Sequence, residues 1–84
     1  MFSVYILLLS NKQLYAGITN NLERRLKEHR QGKSTFTKHR LPVKIIFYEM
    51  FNNKEDAEKR ERYFKTSKGK KSLRALLRNT LSNI

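Results

Sequence analysis

NNLERRLKEHRQ, residues 20–31, reads as a short helix around which the rest of the chain is organised. Asn20 stands where it can cap that helix, and Glu23 follows three residues later, the spacing of a capping box. Leu22 and Leu26 lie four apart and form the buried stripe. Arg25 and His29 are stacked four apart on the flank of that stripe, so they are expected where the helix meets the rest of the fold. Immediately upstream, residues 14–19, LYAGIT, form a short apolar run that leads from Tyr15 straight into the helix. A tyrosine, an arginine and a histidine converge on one corner.

Further upstream, residues 2–9, FSVYILLL, are nearly continuously apolar and end at the turn composition Ser10-Asn11-Lys12. Two apolar runs joined by a short polar loop predict an antiparallel hairpin. Continuity of the first run, in place of alternation, predicts a strand covered on both faces. Gly17, inside the second strand, marks either a bulge or a place where a ligand backbone comes close. Downstream, residues 32–41, GKSTFTKHRL, form a basic loop with two threonines and one aromatic. Pro42 ends it, as suits the start of a strand. Residues 43–51, VKIIFYEMF, are the third strand.

Asn52-Asn53 offers a cap for a helix over about 54–65. On that helix Ala57, Glu61 and Phe64 fall on one side, with Glu61 only about 40° around from Ala57. A carboxylate on an apolar stripe requires a partner, because unpaired buried charge is costly. Gly69 breaks the pattern. A last helix, about 70–81, is expected to turn Leu73, Leu76 and Leu77 inward and Lys70, Lys71, Arg74 and Arg78 largely outward. The predicted order is ββαβαα, one α/β (α+β) domain over residues 1–84.

A chain of 84 residues buries only about 60–65% of its unfolded surface. With no cysteine, neither a disulfide nor a thiolate metal site reinforces it. The apolar run at residues 5–9 is far too short to span a bilayer. No basic segment precedes it and no small-residue cleavage site follows, so a cytoplasmic protein with no membrane partner is expected. Nineteen Lys and Arg against seven Asp and Glu give a net charge of +12. That far exceeds what solubility needs and is the footprint of a polyanion partner, foremost nucleic acid.

The polar residues suit phosphodiester chemistry. A nuclease must place a water in line with phosphorus, stabilise charge on the phosphoryl oxygens and assist the leaving oxygen. A lone carboxylate can hold one Mg²⁺, which keeps most of its waters. Arg presents a planar fork suited to phosphate. Tyr or His can shuttle a proton, although a tyrosine needs a nearby cation to act as a base. Tyr15, Arg25, His29 and Glu61 supply that set. Lys33, Lys38, Arg40, Lys68, Lys70 and Lys71 read as phosphate contacts that position without specifying. Lys65, one turn on from Glu61, is placed to assist at a phosphate. His39 belongs to the basic loop and is not read as a metal ligand.

Val4-Tyr5-Ile6, then Tyr15-Ala16-Gly17 about ten residues on, then Arg25, His29 and the helical Glu61 together resemble the GIY-YIG nuclease family. The similarity covers essentially the whole chain and is greatest to small stand-alone bacterial proteins made of this domain only. GKSTFT, LPVKIIFYE, AEKRERYFK and KGKKSL match features of that subgroup. Neither tripeptide is intact: VYI replaces GIY and YAG replaces YIG, but both tyrosines and Gly17 remain.

The resemblance implies a three-stranded antiparallel sheet flanked by helices, and one divalent ion, Mg²⁺ or Mn²⁺, on Glu61. It implies that Tyr15 helps activate the attacking water, with Tyr5 beside it in the adjacent strand. Arg25 would hold the scissile phosphate, and His29 would relay a proton or position a phosphate. The expected products are a 5′-phosphate and a 3′-hydroxyl. The activity expected is endonucleolytic cleavage of DNA, on branched, nicked or single-stranded forms, in repair or recombination.

The alternative is a binding module with a nuclease fold and negligible turnover, since charge accounts for binding without chemistry. A peripheral protein on an anionic membrane, carried by the basic last helix, is a third reading. Basic residues do not separate DNA from RNA, and monomer and homodimer are both compatible with the sequence.

Overall fold

The computed structural model describes all of residues 1–84. The elements are β1 (Phe2–Leu8), β2 (Leu14–Thr19), α1 (Leu22–Arg30), β3 (Lys44–Phe51), α2 (Lys54–Phe64), α3 (Ser67–Leu76) and α4 (Arg78–Ser82). The sheet is antiparallel in the order β2-β1-β3, so the first strand is central and the hairpin partner β2 is an edge. The fold is α+β, a three-stranded sheet with helices on both faces.

β1 is apolar without alternation because both of its faces are covered. Val4 and Ile6 join Ala16, Ala57, Phe64, Leu73 and Leu77 in one core, under α2 and α3. Tyr5, Leu7 and Leu9 join Val43 in a second core on the other face, where Leu22 and Leu26 of α1 pack. An irregularity divides β3 between these two cores. Ile6 pairs with Phe47 but Leu7 pairs with Ile45, so Ile46 is an extra residue opposite the Ile6/Leu7 step. Ile46 thereby stays with Phe47 in the first core while Ile45 reaches the second, as a bulge permits.

Several local expectations shift. The α1 cap is Asn21, not Asn20: its side chain accepts from the Arg24 backbone N–H at 3.0 Å. Thr19 Oγ1 accepts from the Asn21 N–H at 3.1 Å and ties the cap to the end of β2. The capping box with Glu23 is therefore not formed, since the third residue after the cap is Arg24. α1 ends in a Schellman motif, in which Gly32 adopts φ +76° and the Lys33 N–H reaches the Glu28 carbonyl. α2 begins as expected, with the Asn53 side chain accepting from the Asp56 N–H.

Gly69 does not break a helix; it lies inside α3, buried. A Cβ there would stand 1.8 Å from the Tyr63 carbonyl oxygen, so the glycine permits α3 to cross the end of α2 at close range. The expected last helix is two, α3 and α4, meeting at Leu77. Leu73 and Leu77, four apart on one face, are buried as expected, but Leu76 is 59% exposed. No helix is long and apolar enough to cross a membrane.

Candidate active site at the Tyr5–His29 corner

Strand register builds this corner. Tyr5 of β1 stands directly opposite Gly17 of β2, and Tyr15 stands opposite Leu7, so both tyrosines point to the face covered by α1. A Cβ on Gly17 would lie 2.3 Å from Tyr5 Cζ and hydroxyl oxygen. The space read from sequence as room for a ligand backbone is filled by the Tyr5 ring, Gly17 itself is buried, and the bulge lies in β3.

His29 comes down from the last turn of α1 and is fully buried, at 0% exposure. Its Nε2 is 2.8 Å from the Tyr5 hydroxyl and its Nδ1 is 2.7 Å from Thr37 Oγ1. Burial first, then the Arg25 charge, pushes the imidazole down to about 4, so it is neutral at physiological pH. A neutral imidazole donates at one nitrogen and accepts at the other. Tyr5, 1% exposed, is pushed up to about 12, chiefly by burial and then by Tyr15, with Arg25 opposing the rise. It keeps its proton.

The Arg25 guanidinium beside the Tyr5 oxygen favours Tyr5 as donor to Nε2 and Nδ1–H as donor to Thr37. Burial works against the Arg25 charge, but the Glu28 carboxylate at 3.1 Å and the Tyr5 hydroxyl outweigh it and hold that group above its ordinary range.

Tyr5, Tyr15, Arg25 and His29 are thus brought together. The Tyr15 ring packs edge-on to His29 at 5.5 Å and stacks on Phe36 at 5.3 Å. Of the four, Tyr15 and Arg25 are partly exposed, whereas Tyr5 and His29 are sealed. The expectation that His29 positions a phosphate is corrected by its burial: both ring nitrogens are engaged and no surface is left. What the geometry leaves to it is the positioning of the Tyr5 hydroxyl.

Glu61 belongs to α2, which packs on the opposite face of the sheet, yet its charge acts on Tyr5. Its side chain is 18% exposed and pairs with Lys65 at 3.3 Å. Its chain neighbour Arg60 holds Glu49 through two hydrogen bonds, of 2.8 and 3.3 Å. Lys65 and Lys70 line the same depression as Tyr15. Lys33, Lys38, Lys68 and Lys71 are exposed and line none of the surface depressions near Tyr15. Arg40 is committed to Phe36, donating to its carbonyl and lying over its ring at 4.7 Å.

Sequence reasoning missed Thr37, Phe36 and Arg74. Thr37 and Phe36 were noted only as members of the basic loop, and no periodicity marks a loop residue that reaches a helix. Arg74 was read as an outward charge of the last helix, and it lines a depression with Lys70 and Phe36.

No group of three or more His, Cys, Asp or Glu comes together anywhere. The donor set for a metal is therefore one carboxylate, which suits a hard, mostly hydrated dication and not a zinc cage. Glu61 meets that requirement once Lys65 yields its place.

Comparison with known proteins gives a consistent picture. Residues 1–74 match the GIY-YIG catalytic domain. A UPF0213 protein of Clostridium perfringens is 48% identical over 63 residues, covering 74% of this chain and 68% of that protein. The UPF0213 protein YsiG of Lactococcus lactis is 43% identical over 81 residues, covering 95% of this chain and 78% of that one. The solution NMR structure of a UPF0213 protein from Bacillus halodurans superposes with a TM-score of 0.59 at 32% identity, over 90% of this chain and 85% of that chain.

Proposed function

This chain belongs to the GIY-YIG catalytic-domain family, and on that premise we propose that it is a metal-dependent endonuclease hydrolysing DNA phosphodiester bonds in the cytoplasm. The family is one of nucleases; the UPF0213 relatives carry no more specific activity in their names. The observation that supports the proposal is that Tyr5, Tyr15, Arg25 and His29 meet at one corner, with the Tyr5 hydroxyl 2.8 Å from His29 Nε2 and the Tyr15 ring edge-on to His29 at 5.5 Å. Arg25 offers an anion-holding fork at that corner, and the net charge of +12 suits a nucleic-acid substrate.

Glu61 would hold one Mg²⁺ or Mn²⁺, which when bound supplies Lewis-acid stabilisation of the phosphoryl and leaving oxygens. Arg25, 30% exposed at its side chain, holds a nonbridging oxygen and neutralises charge that grows in the transition state. The Tyr15 hydroxyl, at the exposed side of the corner, orients the attacking water. Tyr5 cannot be the base, because it holds its proton too tightly. It donates a hydrogen bond to Nε2 of neutral His29, whose opposite ring nitrogen is held by Thr37, so the pair fixes the Tyr5 oxygen at the edge of the corner. Cleavage leaving a 5′-phosphate and a 3′-hydroxyl follows from the family resemblance.

Supercoiled plasmid, a branched DNA and a structured RNA incubated with Mg²⁺ or Mn²⁺ test this, comparing the parent with Glu61→Ala and Arg25→Ala. Parent cleavage that both variants lose by at least about a hundredfold, roughly 2.7 kcal/mol of barrier, supports the assignment. Equal cutting by all three proteins signals contamination. No cutting, with salt-sensitive binding kept by all three, makes the chain a binding module.

A further inference from the structure

Beside the edge strand β2 lies a surface that the proposed reaction uses only at Tyr15. One depression of about 340 Å³ is lined by Gln13, Leu14, Phe36, Lys70 and Arg74. A second, of about 330 Å³, shares Leu14, Phe36 and Lys70 with it and adds Tyr15 and Lys65. Through the shared residues they form one groove, from Tyr15 past Phe36 to Arg74. No acidic residue lines either part.

Phe36 is the unexplained member. It is 50% exposed and is the exposed aromatic that lines both depressions. Tyr15 stacks on the ring at 29°, and Arg40 both anchors the same loop residue through its carbonyl and lies over the ring at 4.7 Å, so an incoming base takes the place of that guanidinium. Opposite it, Lys70 and Arg74 stand four apart on α3, hence on one side of that helix. A rigid aromatic facing a row of cations is the chemistry that holds a nucleic-acid strand by stacking and by phosphate contact. A base inside a duplex has its faces already stacked, so only an unpaired base can use Phe36.

We propose that this groove binds an unpaired nucleotide of the substrate strand next to the scissile phosphate, its base stacked on Phe36 and its backbone phosphates held by Lys70 and Arg74. The inference rests on the nucleic-acid reading of the function and names its subsite: unpaired DNA is the ligand class.

The test uses the full chain in EDTA, so that no cleavage intervenes. A labelled single strand and its blunt duplex are titrated with the parent, Phe36→Ala, Phe36→Trp and the double variant Lys70→Gln/Arg74→Gln. Phe36→Ala should weaken single-strand binding about tenfold and leave duplex binding within about twofold, and Phe36→Trp should restore it. The double variant should reduce the salt slope of log K for the single strand by about 1.4, two contacts at about 0.7 each.

In parallel, 2-aminopurine is walked along the strand. The parent and Phe36→Trp should alter its emission at one or two positions, and Phe36→Ala should not. Equal losses on both nucleic acids, an emission profile of the parent that is flat along the strand, or no binding at all overturns the subsite. Should Phe36→Ala fail to fold by circular dichroism, the parent profile alone decides. A chain that shows the profile but never cleaves overturns the nuclease and keeps the subsite; one that cleaves with a flat profile does the reverse.

Discussion

Gly17→Ala should be among the most damaging single-atom additions to this protein. The backbone at Gly17 is ordinary extended strand, so Ala alone would gain about 0.4–1 kcal/mol by restricting the unfolded chain. Against this, the added Cβ would stand 2.3 Å from Tyr5 Cζ and hydroxyl oxygen and 2.8 Å from Cε1, more than about 1 Å inside van der Waals contact. The ring is 1% exposed and its hydroxyl is 2.8 Å from His29 Nε2, so it cannot swing aside freely.

Overpacking of this kind costs about 1–3 kcal/mol. Displacing the hydroxyl leaves a buried nitrogen unpaired at about 1–3 kcal/mol more. The net loss is about 3 kcal/mol. With about 2.1 cal/mol/K of unfolding entropy per residue, 84 residues lose about 6 °C per kcal/mol, so Tm should fall by about 15–20 °C. Far-UV circular dichroism during thermal and urea unfolding measures it.

The companion variant Tyr5→Leu removes the ring tip. If the reasoning holds, Gly17→Ala added to Tyr5→Leu costs nothing further, a coupling of about 2–3 kcal/mol. A Tm within about 3 °C of the parent for Gly17→Ala, or strict additivity in the double variant, refutes it.

Three further outcomes are expected. His29 is depressed to about 4 while the unfolded chain titrates near 6.5, so the unfolded state binds the extra proton between those values and stability falls as pH drops below 6.5. About 1.5 kcal/mol should disappear between pH 6.5 and 5, read from urea midpoints, and His29→Gln should abolish that share. Gly69→Ala sets helix propensity, which favours Ala by about 1 kcal/mol, against a 1.8 Å approach to the Tyr63 carbonyl oxygen. Backbone cannot yield as a side-chain tip can, so the variant should be destabilised by at least about 1–2 kcal/mol, and a raised Tm would overturn this. Thr37→Val keeps the shape but leaves His29 Nδ1 without its 2.7 Å partner, which should cost about 1–3 kcal/mol. Thr37→Ser should recover most of it, as chemical denaturation will show.

What the sequence disclosed was local or periodic. β1 is apolar because it is central, and the Asn53 cap and the α2 stripe follow from residues within one turn of each other. The misplacements have non-local causes. Asn20 and Asn21 are chemically identical candidates, and the choice falls to Thr19, whose hydroxyl fixes Asn21 at the strand end. Gly17 and Gly69 each read as local punctuation, whereas each makes room for a group from another element: the Tyr5 ring of β1 and the Tyr63 carbonyl of α2. Leu76 faces outward because Gly69, Leu73 and Leu77, at four-residue spacing, form the buried stripe and Leu76 falls beside it. At the site, Tyr5, Tyr15, Arg25, His29 and Glu61 were readable as residue types with a family pattern. Which of them touch solvent was not, since burial of His29 depends on a loop residue, Thr37, that no spacing rule connects to it.

The placement of Tyr5 on the middle strand has a dynamic consequence. A strand hydrogen-bonded on both sides and roofed on both faces has no partial opening that spares the rest of the sheet, so its amides exchange only with global unfolding. The Tyr5–His29 link therefore belongs to the last unit of the molecule to open. Functional geometry at this corner should persist undiminished through every sub-global fluctuation and vanish in one step with the fold.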